Sequence, residues 1–592
     1  MQQAVRKKIR IGDLLVEHKV ISQDQLMTAL GDQKKSGHKL GRVLVENGYL
    51  TEDMLLDFLS RQLSIPYIDL KHYRFDVDLA RSLPETHARR YRALLIDQKA
   101  DGYLVGMADP TDIFGFDEIS RILKLPVNLA IVRESDLLQT IDIIYRRTDE
   151  ISSLAEELGE ELSETDFDLQ QMLQGDDVTD APVVKLLQTL FEDAIQVNAS
   201  DIHIEPDEKV LRIRQRVDGV LQETVMKEQN IANAVVSRLK LMGGLDISEK
   251  RLPQDGRFNI KVKNKNIDVR LSTMPIQHGE SVVMRLLDQS GGMLNLEQLG
   301  MPDDIRQRFT KFIHQPHGMV LVTGPTGSGK TTTLYAALTT LNTEEKKIIT
   351  VEDPVEYRLP RVNQVQVNFR INLTFAGVLR TALRQDPDIV LVGEMRDQET
   401  AEMGLRAAMT GHLVLSTLHT NDAVSTAIRL LDMGAEGYLV ATSLQAVLAQ
   451  RLVRRICDSC NTRHEIEAHE LAWVKQLLGE NASIDSFQKG VGCPQCNNTG
   501  YRGRIGVYEL LEIDAELTDL LRHDDTSGFA KSAVKQKGFK PLANSALELA
   551  IQGVTSLEEV FRIAGEIDLE TVYTEPVSQE KEQLTIGDDS DN

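Results

Sequence analysis

At 592 residues the chain exceeds what one hydrophobic core can organise, about 250–300 residues, so several domains are required. Its 41% hydrophobic and 27% charged residues are ordinary for a globular protein; no run approaches the roughly 18 apolar residues of a membrane span, and no apolar segment follows the charged stretch Met1–Arg10. A net charge of −23 excludes general nucleic-acid binding, and a cytoplasmic location is the expectation.

Two copies of one pattern open the chain. Arg10, Ile11 and Gly12 lead into Asp13-Leu14-Leu15-Val16-Glu17 and on to Leu26, Leu30 and Gln33. The second copy starts 29 residues later: Lys39, Leu40 and Gly41 lead into Arg42-Val43-Leu44-Val45-Glu46 and on to Leu55, Leu59 and Gln62. Ser22 and Thr51 stand where helix N-caps belong. Residues 1–70 are therefore expected to form a tandem of short helical hairpins that bury their Leu faces. Strand-like and helix-like runs then alternate, predicting a small α/β unit over 71–147. Between Asp149 and Asp180 lie 12 acidic and no basic residues, so 148–180 reads as a solvated acidic linker, helical in part. A second α/β unit is expected over 181–288, where Val210–Val217 alternates as a strand does. The largest unit spans 289–565, and the polar stretch 566–592 reads as an acidic disordered tail.

Within the largest unit, the apolar run Met319–Thr323 enters Gly324-Pro325-Thr326-Gly327-Ser328-Gly329-Lys330-Thr331-Thr332 and leaves into a helix-forming segment. Strand, GxxxxGK[ST] and helix in that order are what a phosphate-binding loop requires. Glycines let backbone N–H groups close around a polyphosphate, and the helix N-terminus adds a favourable dipole. Lys330 would reach the β- and γ-phosphates and the Thr331 hydroxyl would hold Mg²⁺. Two more apolar strands end in acids: one in Glu352, Asp353 and Glu356, the other in Glu394. Carboxylates at the carboxyl ends of adjacent strands would face the phosphates, hold Mg²⁺ or its waters, and orient the attacking water. A further strand leads to His419, a candidate γ-phosphate sensor. All four cysteines form two CxxC pairs, Cys457 with Cys460 and Cys493 with Cys496, which read as a tetrahedral Zn²⁺ site over 455–505. Four thiolates leave no open position for substrate, so that site is structural.

Taken together, GPTGSGKTTTLY, ITVEDPVEY, LRQDPDIVLVGEMRD and GHLVLSTLHT resemble the secretion ATPase superfamily over residues 181–565, with Ala199–Glu205 and Lys250–Arg257 similar to that family's second N-terminal domain. The resemblance implies a multidomain α/β protein. A RecA-like P-loop ATPase core with a zinc module would follow a second N-terminal α/β domain and a helical-repeat plus α/β N-terminal region. It implies a homo-hexameric ATP hydrolase with no transmembrane segment of its own, driving an inner-membrane platform protein in type IV pilus assembly. Type II protein secretion is the other branch. Glu356 matches the water-activating carboxylate, Glu394 the Mg²⁺-linked acid and His419 the phosphate-sensing histidine. Arg214 matches an arginine that completes the site from the neighbouring domain, with Arg212, Arg216 and Arg238 as alternatives. Where some relatives carry a second such arginine, this chain reads Met226-Lys227-Glu228-Gln229.

The N-terminal repeat is similar to the tandem cyclic di-GMP module of MSHA-type pilus motors. By that similarity Arg10, Ile11, Gly12, Leu26, Leu30, Gln33, Leu40, Gly41, Leu55, Leu59 and Gln62 are the contact residues, and Asp109 is a weaker one. An arginine can both stack on and fork to a guanine, and glycine lets backbone approach closely. The pattern departs at Ile11 and Lys19, where the repeat has Leu and Gly. Hairpins with a purely structural role are the other reading of these residues. A slowly hydrolysing nucleotide-dependent regulator is the other reading of the whole chain.

Overall fold

The computed structural model describes residues 15–566 except 17, 19, 37–39, 64, 74, 100–101, 111, 146–147, 165–181, 263–264, 289–293 and 479–486. Three short helices open it: α1 (Gln23–Ser36), α2 (Leu40–Glu46) and α3 (Glu52–Leu63). Ser22 caps α1 reciprocally with Gln25: the Gln25 amide donates to Ser22 Oγ and the Ser22 amide to Gln25 Oε1. Leu15, Leu26, Val43, Leu44, Leu50 and Phe58 form the core between the helices, with Leu30, Leu40 and Leu55 packed against it. A Cβ on Gly41 would lie 2.9 Å from Leu55 Cδ2, so glycine at that repeat position permits the close approach of α2 and α3.

Next comes a three-stranded sheet in the order β1 (Ala93–Lys99), β2 (Gly102–Met107), β3 (Val127–Ile131). Helices α4 (Ile113–Leu123) and α5 (Glu134–Ile144) belong to the same unit. The acidic stretch departs from expectation. Its first half is helix α6 (Thr148–Glu164), and Ile151, Ala155 and Leu158 are buried in the core of the following domain. Apolar residues at i, i+4 and i+7 make one face of a helix, and that face packs on α7 (Pro182–Gln196) while the acids stay outside.

That following domain is a six-stranded sheet in the order β6-β5-β4-β9-β8-β7, covered by α7 and α8 (Ala232–Met242). Its strands are β4 (Asp201–Pro206), β5 (Leu211–Val217), β6 (Val220–Met226), β7 (Gln254–Val262), β8 (Lys265–Ile276) and β9 (Gly279–Asp288), with every ladder antiparallel.

The largest domain carries a seven-stranded sheet in the order β12-β11-β13-β14-β10-β15-β18. Here β10 is Gly318–Thr323, β11 Ile348–Glu352, β12 Val362–Gln366, β13 Ile389–Val392, β14 Leu413–Leu418, β15 Leu444–Ile456 and β18 Tyr501–Glu512. All pairings are parallel except β15 with β18. Alternate residues of β10 enter two separate cores, Met319 and Leu321 on one face and Val320 and Val322 on the other. Both faces of the sheet are thus covered, which explains strands that read as unbroken apolar runs. Between β15 and β18 the cysteine module projects, with the two-stranded ribbon β16 (Asn461–His464) and β17 (Phe487–Gly490). It touches both earlier units. The buried Gln495 donates from Nε2 to Thr140 Oγ1 of α5 (2.8 Å), and the Gly503 amide donates to Asp218 Oδ2 at the β5–β6 turn (2.8 Å).

One buried ion pair supports the second domain: Lys240 of α8 meets Glu280 of β9 and also donates to the Glu249 carbonyl. Lys240→Ala leaves Glu280 an uncompensated buried charge and should cost about 3–5 kcal/mol. Replacing both, as Lys240→Met with Glu280→Leu, should recover most of that loss in a thermal melt.

Candidate functional site

The site lies along the carboxyl edge of the parallel strands. β10 ends at Thr323, and Gly324 follows with φ +148°, where a Cβ would sit 2.5 Å from the Gln450 carbonyl oxygen. Gly329, at φ +88°, turns the loop into α9 (Lys330–Leu341), whose first turn has no side-chain cap and so leaves amides directed at the loop's hollow. Gln450 of β15 braces this turn from behind: Nε2 donates to the Ser328 carbonyl (2.7 Å) and Oε1 accepts from Thr333 Oγ1 (2.8 Å). The Ser328 hydroxyl is buried without a hydrogen-bond partner, an orphan that a phosphate oxygen would satisfy. Lys330 Nζ donates to the carbonyls of Gly324 (2.7 Å) and Pro325 (3.1 Å). Burial holds its pKa down to about 8, with Arg451 pushing the same way and Glu394 opposing. Thr331 and Thr332 are exposed beside it.

Neighbouring strands supply the acids. The Gly393 amide donates to the Val351 carbonyl (2.7 Å), Thr417 Oγ1 donates to the Gly393 carbonyl (2.7 Å), and the Met395 amide donates to the Thr417 carbonyl (3.1 Å). These bonds fix the backbone on both sides of Glu394. Its carboxylate meets His419 Nε2 (3.3 Å) and Arg396 (2.5 Å). His419 is held likewise, because Thr323 Oγ1 donates to the Leu418 carbonyl and accepts from the Thr420 amide, each at 3.1 Å.

The two glutamates after β11 occupy opposite environments. Glu352 is buried, and its oxygens are taken by the hydroxyls of Tyr335 and Thr350 and by Gln364 Nε2. Both of its oxygens accept hydrogen bonds. Glu356 is partly exposed, and its carboxylate is gripped by Arg270 of β8, with N–O distances of 3.2 and 2.6 Å. A cleft of about 580 Å³ beside Arg270 is lined by Arg257, Arg270 and Arg285 of the six-stranded sheet, by Pro354 after β11 and by Gln366 of β12.

The structure thus brings Lys330, Thr331, Glu356, Glu394 and His419 to one sheet edge. It does not bring Arg214 there. On β5, Arg214 pairs with Glu205 (2.5 Å), while Arg212 pairs with Asp207 and Glu223. From the six-stranded sheet the arginine that reaches one of these acids is Arg270, paired with Glu356, and no local pattern in the sequence marks it. The sulfurs of Cys457 and Cys493, and of Cys460 and Cys496, stand 3.8 Å apart, with 3.7 Å between Cys493 and Cys496. A tetrahedral ion with Zn–S near 2.3 Å places its sulfurs about 3.8 Å apart, so the four thiols fit Zn²⁺ and not disulfides. In the N-terminal helices Leu26 is buried, Leu30, Leu40 and Leu55 pack against that core, and Gln33, Gly41 and Leu59 are half-buried. Arg10, Ile11, Gly12 and the Gln62 side chain lie outside the described residues.

A phosphate loop, strand-end acids and a strand-end histidine on a RecA-like sheet define a P-loop ATPase. Residues 176–562 match the family model described as "Type II/IV secretion system protein", and the chain belongs to that family. The "MshEN domain" model matches residues 63–151. The chain is 41% identical to the type IV pilus assembly ATPase PilB of Myxococcus xanthus, over 93% of this chain and 98% of that protein. It is 42% identical to the type II secretion system ATPase E of Vibrio cholerae, over 82% and 97%. A solved chain described as "MshE with cdg" is 41% identical over 23% of this chain and 100% of its own, with a TM-score of 0.23. No described helix is long and apolar enough to cross a membrane.

One Zn²⁺ per protomer should be found by elemental analysis of reduced protein, and Cys493→Ser should abolish it while leaving ATP binding intact. A pH series tests Lys330. Below about 8 the ammonium is already charged and ATP affinity should be flat. Above it a neutral amine must gain a proton on binding, so affinity should fall by up to about tenfold per pH unit. Titration calorimetry in two buffers would report that proton uptake, and a pH-independent Kd up to pH 9.5 would contradict it.

Proposed function

We propose that this chain is the assembly motor of a type IV pilus of the MSHA kind, a homo-hexamer that works on a platform protein at the cytoplasmic face of the inner membrane and answers to cyclic di-GMP. The observation that carries the pilus reading is extent. Similarity to the pilus assembly ATPases of Myxococcus xanthus and Acinetobacter baylyi runs through 93% of the chain, against 82% for the type II ATPase of Vibrio cholerae. Type II secretion is the second reading, favoured by 44% identity to HxcR of Pseudomonas aeruginosa. A deletion strain separates the two by losing surface pili or a secreted protein.

In this reading the residues Gly324–Thr332 hold the ATP phosphates and Lys330 neutralises the γ-phosphate. Thr331 and Glu394 would hold Mg²⁺, which when bound draws charge from the β- and γ-oxygens. Glu356 takes a proton from the water that attacks the γ-phosphorus. His419, hydrogen-bonded to Glu394, registers whether the γ-phosphate is present. Glu356 must leave Arg270 before it can accept a proton, so turnover would shift the six-stranded sheet against the ATPase core, and that shift is the stroke. Arg214 would serve a neighbouring protomer only by exchanging Glu205 for phosphate.

Cyclic di-GMP would sit on the paired repeats, whose two similar halves suit a ligand made of two identical halves. The contact of Gln495 with Thr140 offers its effect a route to the core.

Glu356→Gln should bind ATP with unchanged affinity and hydrolyse it at least about 100-fold more slowly, since an amide accepts no proton. Lys330→Ala should lose ATP binding. With the full chain, cyclic di-GMP should bind in the micromolar range or tighter and alter ATPase rate, and Arg10→Ala should weaken it more than Gln33→Ala. Absence of binding heat would return the repeats to a structural role.

A further inference from the structure

Tyr335 lies on α9, five residues beyond Lys330, and is packed in the apolar core on one face of the sheet. It is 4% exposed, as is Glu352. Its hydroxyl donates to Glu352 Oε2 and accepts the backbone amide of Glu356 (3.3 Å). A phenol has one proton to give and lone pairs to receive with, so one oxygen fills both roles. Burial, and then the charge of Glu352, pushes the Tyr335 pKa up, which keeps the proton on the phenol.

On the far side of Glu356, Gln364 of β12 donates from Nε2 to the Tyr357 carbonyl (2.9 Å) and to Glu352 Oε1 (3.2 Å). Its Oε1 accepts the Leu359 amide (2.7 Å), and Thr350 donates to Glu352 from β11. The Tyr357 ring meets that of Tyr335 edge-on at 6.1 Å. The backbone is therefore fixed immediately before and immediately after the Glu356 side chain. Both fixings run to a buried carboxylate that is itself fully partnered.

We propose that Tyr335 is a positioning residue for hydrolysis: it ties the helix that begins at the phosphate loop to the segment that presents Glu356, and so sets where that carboxylate points relative to the γ-phosphate. This rests on Glu356 being the base. The same link transmits strain in the other direction, because a phosphate that draws in the first turn of α9 pulls on the Glu356 amide through one rigid side chain. Tyr335 is enclosed in the core, and its effect passes through Glu356 alone.

The test is a double-mutant cycle on the full-length protein with Tyr335→Phe, Glu356→Gln and both together. Tyr335→Phe should lower kcat by about tenfold or more, as a displaced catalytic group does, with KM for ATP changed less than about twofold. In the Glu356→Gln background it should change the residual rate by less than about twofold, because the group it aims is gone. A residue that only stabilises the fold would cost the same factor in both backgrounds, and that outcome overturns the proposal, as does an unchanged kcat. Should Glu356→Gln keep its turnover, the base has been misassigned and the positioning role falls with it. Should Glu356→Gln be slow and Tyr335→Phe normal, only the positioning role is wrong. If Tyr335→Phe does not yield folded protein, Gln364→Met removes the restraint on the other side of Glu356 and should give the same pattern in the same cycle.

Discussion

Strand β10 lies between two parallel neighbours, β14 and β15, with an apolar core on each face. That placement constrains everything else in the ATPase domain. No polar group can leave the sheet along the strand, so the chain must turn outward at its carboxyl end, where Gly324 and Gly329 take conformations that other residues resist. Parallel pairing brings the ends of β11, β13 and β14 to the same edge, so residues far apart in the chain meet there. Even the backbone bonds that cross between these ends carry function, because they fix the peptides on either side of Glu394 and His419.

At that edge, environment separates residues of the same chemical type. Glu352 and Glu356 are four positions apart, yet one is enclosed and hydrogen-bonded through both oxygens while the other is partly exposed and paired with an arginine from another domain. A buried carboxylate that accepts from Tyr335, Thr350 and Gln364 is a fixed strut. A partly exposed carboxylate held by one guanidinium is more easily released. The ion pair of Glu356 with Arg270 also joins the two sheets.

The cysteine module adds a second joint. Its four sulfurs are spaced for a tetrahedral ion, and a closed metal site is stiff over a short stretch of chain. From that stiff centre Gln495 reaches α5 of the N-terminal unit and the Gly503 amide reaches the β5–β6 turn of the second domain. One small element thus contacts both flanking units away from the phosphate loop.

Several features were legible in the residues alone. The phosphate loop, the acids after β11 and β13, the histidine after β14 and the paired cysteines are each local patterns, because glycine geometry, strand periodicity and ligand spacing act over a few residues. The internal repeat was legible for the same reason. Arg270 was not, since its meeting with Glu356 depends on how two sheets are set against each other, and nothing within a few residues of it records that distance. The partner of Arg214 within the chain, Glu205, was not legible either, because a strand reveals which residues alternate outward but not which partner waits there. The burial of one face of helix α6 was hidden by its charge, as composition averages over a face that buries Ile151, Ala155 and Leu158. The sequence alone determined which chemistry is present, through short-range rules of backbone and spacing. The tertiary structure alone decided which of two glutamates is strut and which faces an arginine, because burial and long-range contact are properties of the packed chain.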